Sequence, residues 1–320
     1  MAVYTEIGDE DLATFIAQYE IGEALSATGI AEGVENSNYL LNTKEGRFIL
    51  TLYENRVDPA DLPFFLALIE HLAAKDIACP LPVRARDGKV LRELSNRPAA
   101  IFTFLAGMWP RRIQPYHCGE LGKALARMHL AGEDFTLRRS NDLSVQSWRP
   151  LLCRSADRAD EVQQGLAEDL EKELTNLELN WPDSLPSGVI HADLFPDNVF
   201  FVGPRLTGLI DFYFACTDMY AYDIAICLNA WCFEVDGSFN VAKANRLLMS
   251  YRVVRDFSDD ELASLPVLAR GAAMRFLLTR LYDWLYTPAD ALVTKKDPLE
   301  YWKKLRFHQG VIGPEEYGLA

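Results

Sequence analysis

The 320-residue sequence is poor in positive charge. Its 32 lysines and arginines face 46 aspartates and glutamates, which gives a formal net charge of -14. Proteins that bind nucleic acid need clustered basic side chains to neutralise phosphates, and anionic membrane surfaces attract the same groups. The charge deficit therefore argues against a nucleic-acid partner and against a membrane surface as partner.

Cysteine is also scarce, and no two cysteines form the C-x-x-C pair that is typical of zinc and redox sites. The cysteines all lie in apolar or helical segments, so we expect reduced, buried thiols rather than disulfides or zinc ligands. They are Cys79, Cys118, Cys153, Cys216, Cys227 and Cys232.

Signals for export and for membrane insertion are missing from the sequence. The N-terminal stretch MAVYTEIGDEDL carries acids where a secretory signal carries positive charge. No uninterrupted apolar run reaches the roughly 18 residues that a membrane-spanning helix needs. We therefore expect a cytoplasmic protein, and its 49% hydrophobic residues are enough for a sizeable core and two lobes.

Strand patterns and helix patterns fall into separate blocks, which predicts an α+β fold rather than a doubly wound sheet. A first helix is expected over 9–19, followed by strands from about 25 to 53 in the segments GIAEGV, NSNYLLNT and RFILTLYE, the last two joined by a turn at Lys44–Gly46. Asp58-Pro59 predicts the start of a helix, Asp87-Gly88 predicts a hairpin turn, and RPAAIFTFL predicts a further strand. The later helices are expected near 114–132, 154–178, 220–233, 238–252, 260–286 and 297–308.

The segment HADLFPDN, residues 191–198, and Asp211 further along the chain contain the residue types that phosphoryl transfer to a hydroxyl requires. Phosphoryl transfer is catalysed mainly by positioning and by neutralising charge with metal ions. Asp193 could orient the attacking hydroxyl and accept its proton. Asn198 and Asp211 supply the oxygen ligands that magnesium prefers. Between them, NVFFVGPRLTGLIDF predicts two short strands joined by a Gly203-Pro204 turn.

These motifs resemble the catalytic loop and the metal-binding segment of the aminoglycoside phosphotransferase and choline kinase group. The consensus sequences of these segments are close to H-G-D-x-x-x-x-N and I-D-[FW]. The resemblance implies a bilobal protein-kinase-like fold, with Asp193 as catalytic base and with Asn198 and Asp211 as Mg²⁺ ligands. It also implies that His191 supports the loop and that Asp223, at a helix start, braces the loop from below.

A narrower resemblance, to the bacterial homoserine kinases of this superfamily, covers nearly the whole chain. It is carried by GIAEGVENSNYLL, FILTLYE, DLPFFLALIEHLAAK, VIHADLFPDNVFF, IDFYFACTD, LNAWCFE and RFLLTRLYDW. It implies transfer of phosphate from ATP to the hydroxyl of L-homoserine, a step in threonine biosynthesis. The sequence does not indicate an oligomeric state.

The segment LAGMWP breaks the strand pattern and predicts a linker between two lobes, a nucleotide-binding lobe, 1–105, and a catalytic and substrate-binding lobe, 106–320. The resemblance places the adenine at this linker. Backbone groups of Phe104, Leu105 and Ala106 would bind the adenine edge. Ser37 and Asn38 occupy the place of the phosphate loop, where their side chains could supplement backbone donors. That segment has only one glycine, however, and an ordinary β-turn fits it as well.

One departure from the kinase pattern concerns the third strand, where a lysine or arginine usually meets the α- and β-phosphates and pairs with a glutamate on the next helix. The matching position in FILTLYE is Thr51, and the next helix opens DPADLPFF without a glutamate. This departure leaves open the alternative that the protein is a catalytically weak module that binds a nucleotide.

Homoserine carries a carboxylate and an ammonium, so its pocket needs fixed opposite charges. Arg275, Arg280 and Asp283 lie in RFLLTRLYDW, and Asp218 follows the second metal ligand, where it could meet the ammonium. Arg280 and Asp283 could instead pair with each other at i, i+3. A cationic acceptor such as choline or an aminoglycoside remains an alternative, and it would favour a pocket rich in acids.

Overall fold

The computed structural model of the chain describes residues 5–30, 36–54, 58–288 and 295–319. The chain divides into two compact units. The small unit comprises Met1–Gly107 and Gly208–Tyr213, and the large unit comprises Met108–Thr207 and Phe214–Ala320. The expected lobe boundary at 105/106 lies two residues before the first division point, and the functions assigned to the two lobes stay predictions.

The small unit is an antiparallel sheet with helices. Its sheet has five strands in the order β1-β2-β3-β5-β4. Leu41, Leu50 and Leu52 from the sheet pack with Phe15 and Ile16 of the first helix in one buried core. The elements in chain order are α1 (Asp9–Ile16), β1 (Ala24–Gly29), β2 (Asn36–Thr43), β3 (Gly46–Tyr53), α2 (Leu62–Ala73), β4 (Arg92–Leu94) and β5 (Arg97–Thr103).

Most of the predicted elements of the small unit are confirmed. Strands β2 and β3 pair from Asn36 opposite Tyr53 to Thr43 opposite Gly46, so the turn lies where Lys44–Gly46 predicts it. The apolar positions predicted for α2 are all buried: Leu62, Phe65, Leu66, Ile69 and Leu72.

Three boundaries in this unit were wrong. Strand β1 covers ALSATG, Ala24–Gly29, instead of GIAEGV, and residues 31–34 of that segment lie outside the described residues. Helix α2 begins at Leu62 because the Asp58 carboxylate accepts the N–H of Ala60 at 2.9 Å and holds a turn before the helix. The Asp87-Gly88 turn exists, but the next strand begins only at Arg92, so no hairpin ladder flanks it.

The large unit is mainly helical. The elements that follow in the chain are α3 (Pro115–Ala131), α4 (Val145–Cys153), α5 (Leu166–Asn180), β6 (Ser187–Ile190), β7 (Val199–Val202), β8 (Arg205–Leu209), β9 (Cys216–Met219), α6 (Tyr220–Trp231), α7 (Val241–Arg252), α8 (Asp259–Tyr286) and α9 (Pro298–Gln309). The last two residues of β8 belong to the small unit. Strands β6 and β9 pair antiparallel, and β7 and β8 form the predicted two-stranded sheet. The predicted α+β class, with an antiparallel small part and a helical C-terminal part, is confirmed.

The helix predicted over 154–178 is wrong in its first part. Residues 154–165 form turns and a short 3-10 segment at Ala159–Glu161. Gly165 then adopts a φ of +81°, a conformation that glycine reaches without steric cost, and α5 begins after it. Helix α4 and strand β9 were not predicted.

Helix α8 is the one described helix that is long and apolar enough to cross a membrane by length and composition. Charged side chains interrupt its apolar sequence, so it does not contradict the expectation that no uninterrupted apolar run reaches about 18 residues. The apolar window is 61% buried inside the protein, as expected for a core helix. Its start is fixed by a capping box, in which the Ser258 hydroxyl accepts the Glu261 N–H at 3.1 Å and the Glu261 carboxylate accepts the Ser258 N–H at 2.9 Å.

Five of the six cysteines are buried, as predicted, and Cys153 is exposed. Cys153 is the last residue of α4, the helix that the sequence did not predict. The expectation of a buried thiol was therefore wrong at this position.

Candidate active site

The HADLFPDN segment leaves the buried strand β6 and reverses direction before β7. His191 and Ala192 are buried, and a single 3-10 turn at Pro196–Asn198 closes the reversal. Pro196 starts this turn, where its fixed φ is favourable and a missing N–H costs nothing. The loop folds back on itself as its spacing predicts.

Asp223 holds this loop from the first turn of α6. Its carboxylate accepts the backbone N–H of His191 at 2.8 Å and that of Ala192 at 2.9 Å. The ring of His129 on α3 contacts the same carboxylate at 3.1 Å, and the Tyr251 hydroxyl lies 2.8 Å from the other ring nitrogen of His129. Asp223, His129 and the His191 side chain are all fully buried, so the network is shielded from water.

The charges in this network follow from its contacts. Burial alone would raise the pKa of Asp223, but the His129 hydrogen bond, the His129 and His191 charges and the His191 N–H lower it overall. Burial lowers the pKa of His129 although Asp223 opposes this shift. An ionised Asp223 therefore meets a neutral His129, which donates its Nε2–H and accepts from Tyr251 at Nδ1.

Ala192 has a φ of +61°, a left-handed conformation that costs a non-glycine residue roughly 1–2 kcal/mol. The family wording has glycine at this position. Asp223 binds the N–H of Ala192, and Arg275 of α8 donates from Nη1 to its carbonyl at 2.5 Å. The two contacts fix the strained residue that immediately precedes Asp193.

Asp193 and Asn198 lie together. The Asn198 amide nitrogen donates to the backbone carbonyl of Asp193 at 2.8 Å and lies 3.3 Å from its carboxylate. Asp193 is half-buried, and loss of solvation raises its pKa to about 6, although the charge of Arg275 opposes the rise. A carboxylate that is accessible and only weakly stabilised as an anion is suited to accept a proton.

Asp211 belongs to the small unit and follows β8. It is the second residue of the motif with a left-handed backbone, at a φ of +65°. Two residues later, Tyr213 places its hydroxyl 3.2 Å from the hydroxyl of Tyr53, and the Tyr213 ring packs edge-on against Phe65 at 5.7 Å. The side chain two residues after Asp211 is thus anchored between β3 and α2.

Asn198 and Asp211, each taken by itself, suit a magnesium ion. Both offer oxygen atoms, which Mg²⁺ prefers, and the Asn198 amide nitrogen is already occupied by Asp193, so its carbonyl oxygen is the atom left for a cation. Within the residues that the structure describes, no group of three or more His, Cys, Asp or Glu is arranged to hold a metal. A site built by few protein oxygens and completed by phosphate is typical of kinases.

Ser37 and Asn38, the predicted phosphate-loop residues, lie on β2. The Ser37 hydroxyl donates to Glu54 at 2.7 Å, and the Asn38 side-chain carbonyl accepts from the Thr51 hydroxyl at 2.7 Å. Part of each side chain is therefore used inside the sheet. For Asn38 the amide nitrogen is not involved in that bond.

Thr51 is buried in a neutral network where a kinase usually has its cation. Its hydroxyl bonds Asn38, opposite it on β2, and also interacts with Tyr213. The first turn of α2 has no acid. Hydrogen-bonding hydroxyl and amide groups therefore stand at the position where a kinase usually has its lysine or arginine.

The predicted adenine segment, Phe104 to Ala106, follows β5 without regular secondary structure. The guanidinium of Arg47 lies over the Phe104 ring, 4.0 Å from its centroid. Leu105 is half-buried and Ala106 is exposed.

The four predicted acceptor-binding residues lie in different environments. Asp218 on β9 accepts from Asn141 at 2.7 Å and from the Met219 N–H at 2.7 Å, and burial raises its pKa. Arg275 is buried and holds Ala192. Arg280 forms an ion pair with Glu300 of α9 at 2.6 Å, while Asp283 is half-buried one turn further along α8.

Sequence reasoning missed Tyr301 of α9, a fully buried tyrosine close to this group, and Asn141, which holds Asp218. Both lie far along the chain from the HADLFPDN motif. The sequence contains no local pattern that would have pointed to them.

Comparison with known proteins identifies the family. The profile of the phosphotransferase enzyme family matches residues 26–257, more than half of the chain. The chain belongs to the phosphotransferase enzyme family. It is 62% identical to the homoserine kinase of Paramagnetospirillum magneticum and 62% identical to that of Rhodospirillum rubrum, and each match covers 100% of both chains.

Solved structures with lower identity share the fold. An amicoumacin kinase has a TM-score of 0.71 at 16% identity and covers 97% of this chain and 96% of its own. Spectinomycin phosphotransferase has a TM-score of 0.69 at 14% identity over 99% of both chains. Choline kinase from Cryptosporidium parvum has a TM-score of 0.65 at 14% identity over 94% of both. The chain therefore has the fold of the aminoglycoside phosphotransferase and choline kinase superfamily. The family match and the 62% identity to homoserine kinases over the full chain show that it is a small-molecule kinase.

Proposed function

We propose that this enzyme transfers the γ-phosphoryl group of ATP to the hydroxyl of L-homoserine, forming O-phospho-L-homoserine and ADP on the way to threonine. The observation that carries this conclusion is the identity of about 60% to homoserine kinases over the full length of the chain. The catalytic loop described above supplies the chemistry that this reaction needs.

Asp193 is proposed as the base. The acceptor oxygen attacks the γ-phosphorus, the bond to the β-phosphate oxygen breaks, and the hydroxyl proton passes to the Asp193 carboxylate. Support comes from its accessibility and from a pKa that burial raises to about 6. Asp223 and Arg275 hold the peptide before Asp193, and misplacement of a reacting group by about 1 Å can cost about 100-fold in rate.

Asn198 and Asp211 are proposed to hold magnesium. When bound, Mg²⁺ would neutralise the negative charge that develops on the phosphate oxygens. The Asn198 amide nitrogen bonds Asp193, which fixes the orientation of the amide.

The nucleotide is proposed to use residues of the small unit. Backbone groups of Phe104, Leu105 and Ala106 would bind the adenine edge, and the side-chain amide of Asn38 would bind phosphate oxygens. Ser37 would act only through its backbone, because its hydroxyl already donates to Glu54. Support for Asn38 comes from its amide nitrogen, which the Thr51 bond does not use.

The amino-acid acceptor is proposed to lie beside Asp193 in the large unit. Asp218 would meet the ammonium, because Asn141 and the Met219 N–H hold its carboxylate in place. Arg275 is the leading candidate of the two arginines for the carboxylate, because Arg280 already forms an ion pair with Glu300. Asp283 would act at the edge of the same site.

A panel of acceptors tests the proposal. Purified protein with MgATP is given L-homoserine, choline, an aminoglycoside or no acceptor, and ADP release is measured. We expect turnover that depends on L-homoserine. Turnover with choline or an aminoglycoside instead would replace the substrate, and no turnover with any acceptor would favour a module that binds nucleotide without catalysing transfer.

A further inference from the structure

Tyr301 carries a hydroxyl whose position the fold alone does not explain. The side chain is fully buried on α9, and within the described part of the chain its hydroxyl has no hydrogen-bond partner. Buried polar groups are nearly always satisfied by protein, water or ligand, and each exception needs a reason. A bound substrate is one such reason.

The ring of Tyr301 leads to the catalytic loop through aromatic contacts. It lies 5.3 Å from Phe276 of α8, and Phe276 packs edge-on against Phe195 at 4.9 Å. The Phe195 N–H donates to the carbonyl of Asp193 at 2.8 Å. Burial raises the pKa of Tyr301 well above its usual range, Arg280 opposes this shift, and the charges of Glu300 and Asp193 add to it. The Tyr301 ring is thus linked to the catalytic loop through Phe276 and Phe195.

The surroundings of Tyr301 favour an anion. Arg280 lies over the ring at 4.4 Å from the centroid, and the Lys304 ammonium lies 4.3 Å from it. A single carboxylate, Glu300, pairs with both cations, at 2.6 Å and 2.7 Å. Arg275 adds a further positive charge, and its Nε has no acceptor within the described residues. The three cations still outnumber the two carboxylates that act on Tyr301, Glu300 and Asp193, and this balance favours the anionic end of an amino acid over its ammonium.

We propose that the Tyr301 hydroxyl donates a hydrogen bond to the carboxylate of the bound amino acid, which makes Tyr301 a specificity-determining residue of the acceptor site. The proposal rests on the proposed function, since L-homoserine supplies the carboxylate. Tyrosine is suited to this task because it donates a hydrogen bond without adding charge, whereas the ammonium requires an acid such as Asp218.

Tyr301→Phe tests this proposal because it removes one oxygen and keeps the ring. We expect the KM for L-homoserine to rise about tenfold or more, the size of a lost hydrogen bond to a charged group, while the KM for ATP and kcat change little. Thermal stability should stay equal or rise, since no bond inside the protein is lost. Added L-homoserine should also raise the thermal stability of the variant less than it raises that of the wild-type enzyme.

Tyr19→Phe is the matched control. Tyr19 is also buried with a hydroxyl that has no partner among the described residues, but it lies in the core of the small unit. Its substitution should leave the KM for L-homoserine unchanged.

An acceptor without a carboxylate separates the possible outcomes. With 3-amino-1-propanol, which keeps the ammonium and the hydroxyl, Tyr301→Phe should change kcat/KM by less than about twofold. An unchanged KM for L-homoserine in Tyr301→Phe would overturn the proposal and assign the hydroxyl to water or to packing. An equal loss with both acceptors would also overturn it, because the carboxylate would not be the partner. Absence of L-homoserine turnover by the unsubstituted enzyme would refute the proposed function itself, and this inference with it.

Discussion

The brace under the catalytic loop gives a quantitative prediction for Asp223→Asn. The carboxylate accepts three N–H groups, from His191 at 2.8 Å, Ala192 at 2.9 Å and His129 at 3.1 Å, with no exposure to solvent. An asparagine at this position has only one acceptor oxygen, so its NH₂ group must face at least one of these donors. A buried donor would lose its partner in either orientation of the amide.

The expected loss in the free energy of unfolding is about 1–3 kcal/mol, the usual cost of leaving one buried hydrogen-bond donor without its acceptor. This is a large part of the roughly 5–15 kcal/mol that stabilises a typical domain. The loop carrying Asp193 should also lose its position, so kcat should fall about 100-fold or more. Urea denaturation and steady-state kinetics below the transition measure the two effects.

Glu173→Gln is the control for this experiment. Glu173 is a buried carboxylate of the same unit, and it pairs with Arg270 at 2.7 Å. None of its hydrogen bonds within the described residues involves the catalytic loop. Its substitution should reduce stability and leave kcat near the wild-type value. If Asp223→Asn changes stability by less than about 1 kcal/mol, or changes kcat no more than Glu173→Gln does, the bracing role is refuted.

Two further substitutions test other parts of the account. Asp211→Asn removes a carboxylate from the proposed magnesium site, so the Mg²⁺ concentration for half-maximal rate should rise about tenfold or more, and an unchanged magnesium dependence would count against this role. His308→Gln should flatten the pH dependence of stability: burial lowers the pKa of His308 to about 3, whereas the unfolded histidine binds a proton below about 6.5. The free energy of unfolding of the wild-type protein should therefore fall as pH drops from 6.5 toward 3, by up to about 1.4 kcal/mol per pH unit from this group. Urea denaturation at several pH values measures this dependence. Equal pH slopes for the two proteins would be inconsistent with a buried neutral His308.

The sequence predicted the parts of the fold that depend on local pattern. The turn at Lys44–Gly46, the buried face of α2 and the Gly203-Pro204 hairpin each follow from periodicity or turn chemistry within a few residues. The D-x-x-x-x-N spacing predicted a loop that folds back, and the bond from Asn198 to Asp193 closes that loop.

Elements without such a pattern were missed. Strand β1 is largely exposed, so ALSATG shows no regular alternation of apolar and polar residues, and the pattern favours the more apolar segment after it. Helix α4 contains Pro150, a residue that usually argues against a helix interior. A left-handed glycine, Gly165, interrupts the region where one long helix was expected.

The tertiary contacts of the site could not be predicted from spacing. His129 reads as a buried histidine, but its bond to Asp223 joins α3 to α6, and no local rule gives that pairing. Arg275 reads as a helix charge, whereas the structure uses it to hold the carbonyl of Ala192. The strain at Ala192 and Asp211 also emerges only from the backbone itself.

The central claim is that Asp193 accepts the proton of L-homoserine during transfer from ATP, and Asp193→Asn tests it most directly. An amide of the same shape keeps the loop packing but cannot take up the proton, so kcat for L-homoserine should fall by about 100-fold to 10,000-fold while MgATP binding is retained. ADP release with L-homoserine gives the rate, and fluorescence or calorimetric titration gives MgATP affinity. A variant that turns over L-homoserine within about tenfold of the wild-type rate would contradict the assignment of Asp193 as the base.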